Sequence, residues 1–195
     1  MEFFTEFPTM EREDLRDFKK FIDLAFRTFA RAYGEILESF FHPLLVFLVW
    51  LEKLLINSPW PIIIIAIAIL AWIGSRSLIL VVGTIISFLV IGYFGMWKDT
   101  MATMAIITVA TLVCIAVGIP FGILMARSNR IQAIILPILD MMQTIPSFVY
   151  LIPIIMLLGI GKVPGLIAVC IYALPPIVRL TNLGIREVDK EALEA

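Results

Sequence analysis

The sequence has one histidine, two cysteines and few charges, and each scarcity removes a class of chemistry. His42 is the only histidine, so no histidine metal cluster or catalytic triad can be assembled, and His42 reads as a plain interfacial residue. Cys114 and Cys170 both lie inside apolar blocks, where a free thiol acts as a small apolar side chain; they say nothing about redox compartment. Charged residues fill only 16% of the 195 positions and the formal net charge is −1, which offers no basic surface to nucleic acid. Gly161-Lys162 echoes a phosphate loop, but Val163 stands where Ser or Thr is required and the upstream glycine spacing is wrong. Neither a cofactor nor a metal site is expected, and ATP chemistry would have to come from a partner. The stretches 60–74, 78–95 and 100–126 hold no Asp, Glu, Lys or Arg between their ends. Intramembrane charges usually serve as relays or ion ligands, so their scarcity speaks against proton coupling. Sodium sites built from backbone carbonyls would leave no such trace.

What is abundant is apolar residue in long runs. Hydrophobic residues make up 61% of the chain, and the mean hydropathy is +1.02. A soluble domain of this size needs far more polar surface. A hydrocarbon layer about 30 Å thick needs about 20 apolar residues per helical crossing, and lipid leaves no partner for an open strand. The chain is therefore expected to be all-α, a polytopic transmembrane helix bundle.

Two regions are distinguished. Residues 1–56 carry ten of the sixteen acidic residues and seven of the fifteen basic ones. Phe18, Ile22, Phe26, Phe29 and Tyr33 recur there at helical steps with Lys19, Lys20, Asp23 and Arg27 between them. This pattern predicts one or two amphipathic helices at the membrane interface, with a short extra crossing from 43 to 56 as the alternative. The acidic start is expected not to be a cleavable signal peptide, because no basic segment precedes an apolar one. Residues 57–195 are expected to hold about five spans: 60–74, 78–95, 100–126, a kinked 131–160, and 166–185. Arg76, Arg127, Arg130, Arg179, Arg186 and Lys190 fall on one face, against Lys98 and Lys162 on the other. The positive-inside bias places the first set in the cytoplasm and the start of the first span, with the N-terminal region, outside.

Span 131–160 is the most irregular. Thr144 can cap a helix whose early turn contains Pro146, which divides the block into an interfacial helix, 131–143, and a spanning one, 146–160. Asp140 falls near the cytoplasmic edge and reads as an interfacial or capping carboxylate. Pro146, Pro153, Pro175 and Pro176 are candidate kinks. Freed backbone in a membrane is tolerated mainly where it faces protein or a watery path. Gln143, Thr144, Ser147 and Tyr150 are accordingly candidate pathway-lining residues, with simple packing irregularity as the other reading. Gly118 and Gly122 have the small-xxx-small spacing of close helix contacts, used within the subunit or at a dimer seam.

The strings DMMQTIPSFVYLIP (140–153), GIGKVPG (159–165) and ALPPIVRLTNLGI (173–185) resemble the permeases of glycine betaine/proline importers driven by ATP-binding-cassette (ABC) ATPases. The wider family is the binding-protein-dependent transport permeases, and the likeness extends more loosely back to about Trp60. It implies an incomplete type I importer fold in a bacterial cytoplasmic (inner) membrane, and a homodimer in the lipid bilayer with an ATPase subunit and an extracytoplasmic substrate-binding protein. It also implies a transporter subunit rather than an enzyme, moving a small zwitterionic or quaternary-amine osmolyte such as glycine betaine, proline or choline. EALEA (191–195) resembles the opening of the family's cytoplasmic EAA loop, with Glu191, Ala192, Glu194 and Ala195 as ATPase-coupling residues. Family members continue through that loop into at least two more spans, so the likeness implies a chain truncated inside the loop. The rival function is a nucleotide-independent secondary transporter or channel subunit.

Overall fold

The computed structural model describes residues 11–188, apart from the side chain of Arg31. They form seven helices and no strand: α1 Arg12–Asn57, α2 Trp60–Ser75, α3 Leu78–Tyr93, α4 Trp97–Arg127, α5 Asn129–Thr144, α6 Ser147–Leu158 and α7 Lys162–Arg186. Three stretches are long and apolar enough to cross a membrane, namely Ala32–Asn57, Trp97–Arg127 and Lys162–Arg186, with a fourth if α5 and α6 together make one bent crossing.

The centre is the pair α4 and α7, which run in parallel. Cys114 lies beside Cys170, Gly118 beside Ile177, Gly122 beside Thr181, and Met125 beside Arg186, so both numbers climb together along the seam. Parallel neighbours in one chain require a return path, and α5 and α6 supply it. They are bent by 91° at a short break. α5 is amphipathic: Ile131, Ile135, Leu139 and Met142 share one face and pack on Met125 of α4 with Val178 of α7. Ser128 caps α5 by accepting a hydrogen bond from the Ile131 amide.

α1 is a single helix despite Pro43. The Leu44, Leu48, Leu51 and Leu55 stripe lies against Ala105, Val109 and Ala110 of α4 and Leu166 of α7, with Leu48 fully buried. The region expected at the interface or as a short 43–56 crossing thus lies within an unbroken helix, and Glu52 forms an ion pair with Lys162 at the start of α7. α2 and α3 have 16 residues each, about 24 Å at about 1.5 Å per residue, shorter than a full hydrocarbon layer. They pack on one another across a tight turn in which Arg76 takes a left-handed conformation, φ 52°. Trp97 meets Phe88 edge-on where α3 reaches α4.

Several hydroxyls on these helices pair with their own backbone. Thr84, Ser87, Thr108 and Thr111 each donate to the carbonyl one turn back, at 2.7–2.8 Å. In an apolar surrounding this removes the cost of an unsatisfied donor.

Candidate functional site

Besides the Glu52–Lys162 pair, two regions of the bundle carry polar chemistry: the α5–α6 bend, and the end where α4, α5 and α7 meet. At the bend, the break expected near residues 143–146 falls between Thr144 and Ser147. The cap expected from the sequence is not formed. Thr144 remains in α5 and its hydroxyl donates back to Met141 O at 3.4 Å, while Pro146 takes the cap position of α6. The reason is local: Pro146 has no N–H to satisfy, and the residue before a proline is driven out of the helical region, so Ile145 is extended.

Tyr150 closes the bend. Its hydroxyl donates to the carbonyls of Met141 at 2.8 Å and Met142 at 3.0 Å in the last turn of α5, where Met141 O also accepts the Ile145 amide at 3.1 Å. Gln143, Thr144 and Ser147 are exposed around it, as are Phe148 and Val149. The four candidate lining residues therefore cluster on one short segment. Pro153 sits inside α6, and Pro175 and Pro176 sit inside α7, each within a continuous helix; Pro175 is fully buried.

At the seam, Gly118 and Gly122 face α7 of the same chain. A methyl built on Gly118 would lie 2.8 Å from Ile177 Cγ2, and one on Gly122 would lie 2.5 Å from Thr181 Cβ and 2.9 Å from Val178 O. Beyond it, Asp140 of α5 pairs with Arg179 of α7 instead of capping a helix. Arg186 reaches from α7 to Met125 O at 2.9 Å and to Asn129 Oδ1 at 2.8 Å. The sequence alone places Arg179 and Arg186 on one membrane face and leaves their partners unassigned. The signal it does contain is Arg179, Asn182 and Arg186 at steps of three and four on one face of α7. Glu191, Ala192, Glu194 and Ala195 lie outside the described residues.

Apolar helices that expose many of their large side chains, an uncharged interior in α2, α3 and α4, and polar groups gathered at a broken return segment mark a polytopic membrane protein. Comparison with known proteins makes this specific. Residues 118–195 match the family described as binding-protein-dependent transport system inner membrane component. The chain is 49% identical over 144 residues to the glycine betaine/proline betaine transport system permease protein ProW of Escherichia coli (strain K12), covering 74% of this chain and 40% of that protein. It is 36% identical over 191 residues to the glycine betaine transport system permease protein OpuAB of Bacillus subtilis (strain 168), covering 96% of this chain and 64% of that protein. It is 35% identical over 147 residues to the trimethylamine N-oxide transport system permease protein TmoV of Pelagibacter ubique (strain HTCC1062), covering 75% of this chain and 20% of that one. Residues 118–195 carry the domain of the binding-protein-dependent transport permeases, and the all-α type I fold and inner-membrane place of that family fit the helices described above. It spans less than two thirds of the length of these relatives.

Proposed function

We propose that this chain supplies the membrane-spanning part of an ATP-driven importer for a small quaternary-amine or zwitterionic osmolyte. The observation that carries the reading is 49% identity to a permease named for glycine betaine and proline betaine. Relatives named for glycine betaine alone and for trimethylamine N-oxide lie in the same group. These solutes share a compact, fully alkylated nitrogen and no net charge. A permease that meets such a solute needs a path rather than a charged site, which fits spans 78–95 and 100–126 without Asp, Glu, Lys or Arg between their ends. An ATPase, a substrate-binding protein and a second permease copy complete the assembly. The binding protein would set most of the selectivity, because a quaternary amine is best held over aromatic faces.

In this scheme the end bearing Arg127 and Arg186 faces the cytoplasm, and residues 191–195 begin the segment that docks on the ATPase. Residues 57–195 form the permease domain, with Gln143, Thr144, Ser147 and Tyr150 bordering the pathway and Pro146, Pro153, Pro175 and Pro176 giving its helices their kinks. Residues 1–56 form a helical region at the outer interface whose leucine stripe packs on the outer halves of α4 and α7. A crossing by Ala32–Asn57 is the second reading, favoured by its length. Thr28→Cys in a chain whose Cys114 and Cys170 are replaced by Ala tells them apart: labelling by an impermeant maleimide from outside supports the interface, and labelling only from inside supports the crossing.

The test of function is uptake of radiolabelled glycine betaine into proteoliposomes holding the complete permease, its ATPase and its binding protein. Uptake should require internal ATP and external binding protein. Uptake that continues without ATP would establish the secondary transporter or channel instead.

A further inference from the structure

Three helix ends converge on one side chain. Because α4 and α7 are parallel, their C-terminal ends lie side by side, and each presents its last-turn carbonyls and the negative end of its dipole; Met125 O has only a long bond, 3.4 Å, from the Ser128 amide. Two such ends repel. Arg186 sits between them: one nitrogen, Nη2, donates to Met125 O at 2.9 Å and to Asn129 Oδ1 at 2.8 Å. Its Nε donates to Asn182 Oδ1 at 3.0 Å. Met125 belongs to the last turn of α4, Asn129 opens α5, and Asn182 lies one turn back in α7. Asn182 is only 7% exposed, so its side chain is not a free surface amide but one fixed by packing.

Two turns earlier on the same face of α7, Arg179 pairs with Asp140 towards the far end of α5. α5 is thus tied to α7 near both its ends, and α4 is tied in at the Arg186 end. We propose that Arg186 is a positioning residue that locks the end of α4, the start of α5 and the end of α7 into one rigid unit. That unit fixes the end of α7 against α4 and α5, so that movement there is passed to the bundle as a whole and couples it to ATP hydrolysis. The coupling role rests on the function proposed above; the lock itself does not. Lysine could neutralise the dipoles but could not reproduce the planar fork that serves three acceptors at once.

The test uses the complete permease reconstituted with its ATPase and binding protein, in wild-type, Arg186→Ala, Arg186→Lys and Asn129→Ala forms. Amide hydrogen exchange over 123–130 and 180–188 should be about 10-fold faster in Arg186→Ala, with 101–114 unchanged, since a helix end opens more readily once the hydrogen bonds that tie it down are removed. ATP hydrolysed per solute imported should rise about 3-fold or more in Arg186→Ala, with Arg186→Lys closer to Ala than to wild type and Asn129→Ala in between. Wild-type exchange in Arg186→Ala overturns the lock. Faster exchange along the whole of α4 and α7 also overturns it, because Arg186 would then be supporting the fold generally. An unchanged ATP-to-solute ratio alongside local loosening overturns its role in coupling. Should the wild-type assembly show no ATP-dependent uptake, the proposed function fails, and the exchange pattern alone decides the lock.

Discussion

A methyl group added at Gly122 is the perturbation to which the α4–α7 seam should be most sensitive. Inside lipid there is little hydrophobic force between helices, so close van der Waals approach carries the association. The added Cβ would stand 2.5 Å from Thr181 Cβ, 2.8 Å from Thr181 Cγ2 and 2.9 Å from Val178 O. Carbon pairs prefer about 3.5–4.0 Å, so relief needs about 1 Å of separation. Neither a Cβ nor a backbone oxygen can rotate away, so α7 itself must move. Overpacking of this kind costs about 1–3 kcal/mol, and a rigid contact belongs at the upper end. Alanine gains about 1 kcal/mol of helix propensity over glycine, which offsets part of it. The expected net loss for Gly122→Ala is about 2 kcal/mol, or about 4–8 °C in thermal midpoint for a chain of this size. At Gly118 the nearest atoms are Ile177 Cγ2 at 2.8 Å and Ile177 Cβ at 3.2 Å, a milder clash, so Gly118→Ala should lose about 1 kcal/mol or less. Gly83 and Gly184 have nothing within 4 Å, so alanine there should be neutral or stabilising. The assay is thermal unfolding of the purified chain in nanodiscs, followed by intrinsic tryptophan fluorescence. In a double-mutant cycle Gly122→Ala should cost about half as much on a Thr181→Gly background as on wild type, since that background removes two of the three close approaches and leaves Val178 O. A Gly122→Ala midpoint no lower than that of Gly184→Ala would refute the parallel, close-packed seam.

Other substitutions probe the remaining ties. Lys162→Met leaves Glu52, whose side chain is 14% exposed, without its partner. It should cost about 1–2 kcal/mol in the same assay, with more than half regained in the double variant Glu52→Gln/Lys162→Met. Asp140→Asn should cost less than about 1 kcal/mol and lose its effect at high salt, because its pair with Arg179 is 60% and 36% exposed. Tyr150→Phe removes the donor that closes the α5–α6 bend and should cost about 1 kcal/mol, read as a lower midpoint and faster proteolysis at 143–147. Maleimide should label the half-buried Cys170 before the buried Cys114 in the folded chain, and equal labelling of the two would contradict their placement.

Some of this is legible in the residues and some is not, for physical reasons. Long uncharged runs fix helices in lipid because the backbone has no other way to satisfy itself, so α4 and α7 and their approximate limits can be read directly. The Ile145-Pro146 break is legible too, since proline removes a donor and restricts the residue before it. Which hydroxyl or carbonyl answers at the break is not, because Thr144 can serve either side and only the 91° bend decides. Gly118 and Gly122 announce a close contact through their spacing but not its partner, for spacing is silent about what lies opposite. The charges of α1 point to an interface, yet the stripe Leu44, Leu48, Leu51 and Leu55 also has the heptad spacing of a packing face, and a stripe takes its meaning from the neighbour it meets.

The pairing of Arg179 and Arg186 shows where a single-sequence reading stops. Counting them as basic residues on one side gives an orientation, which needs only their sign. Their contacts depend on α4 and α7 being parallel, which depends in turn on α5 and α6 turning back by 91° rather than lying flat. Once that return is made, two carbonyl-bearing helix ends must sit together and a planar cation between them becomes the natural solution. The same residue that merely signals a face in the sequence then holds three helix ends in the fold.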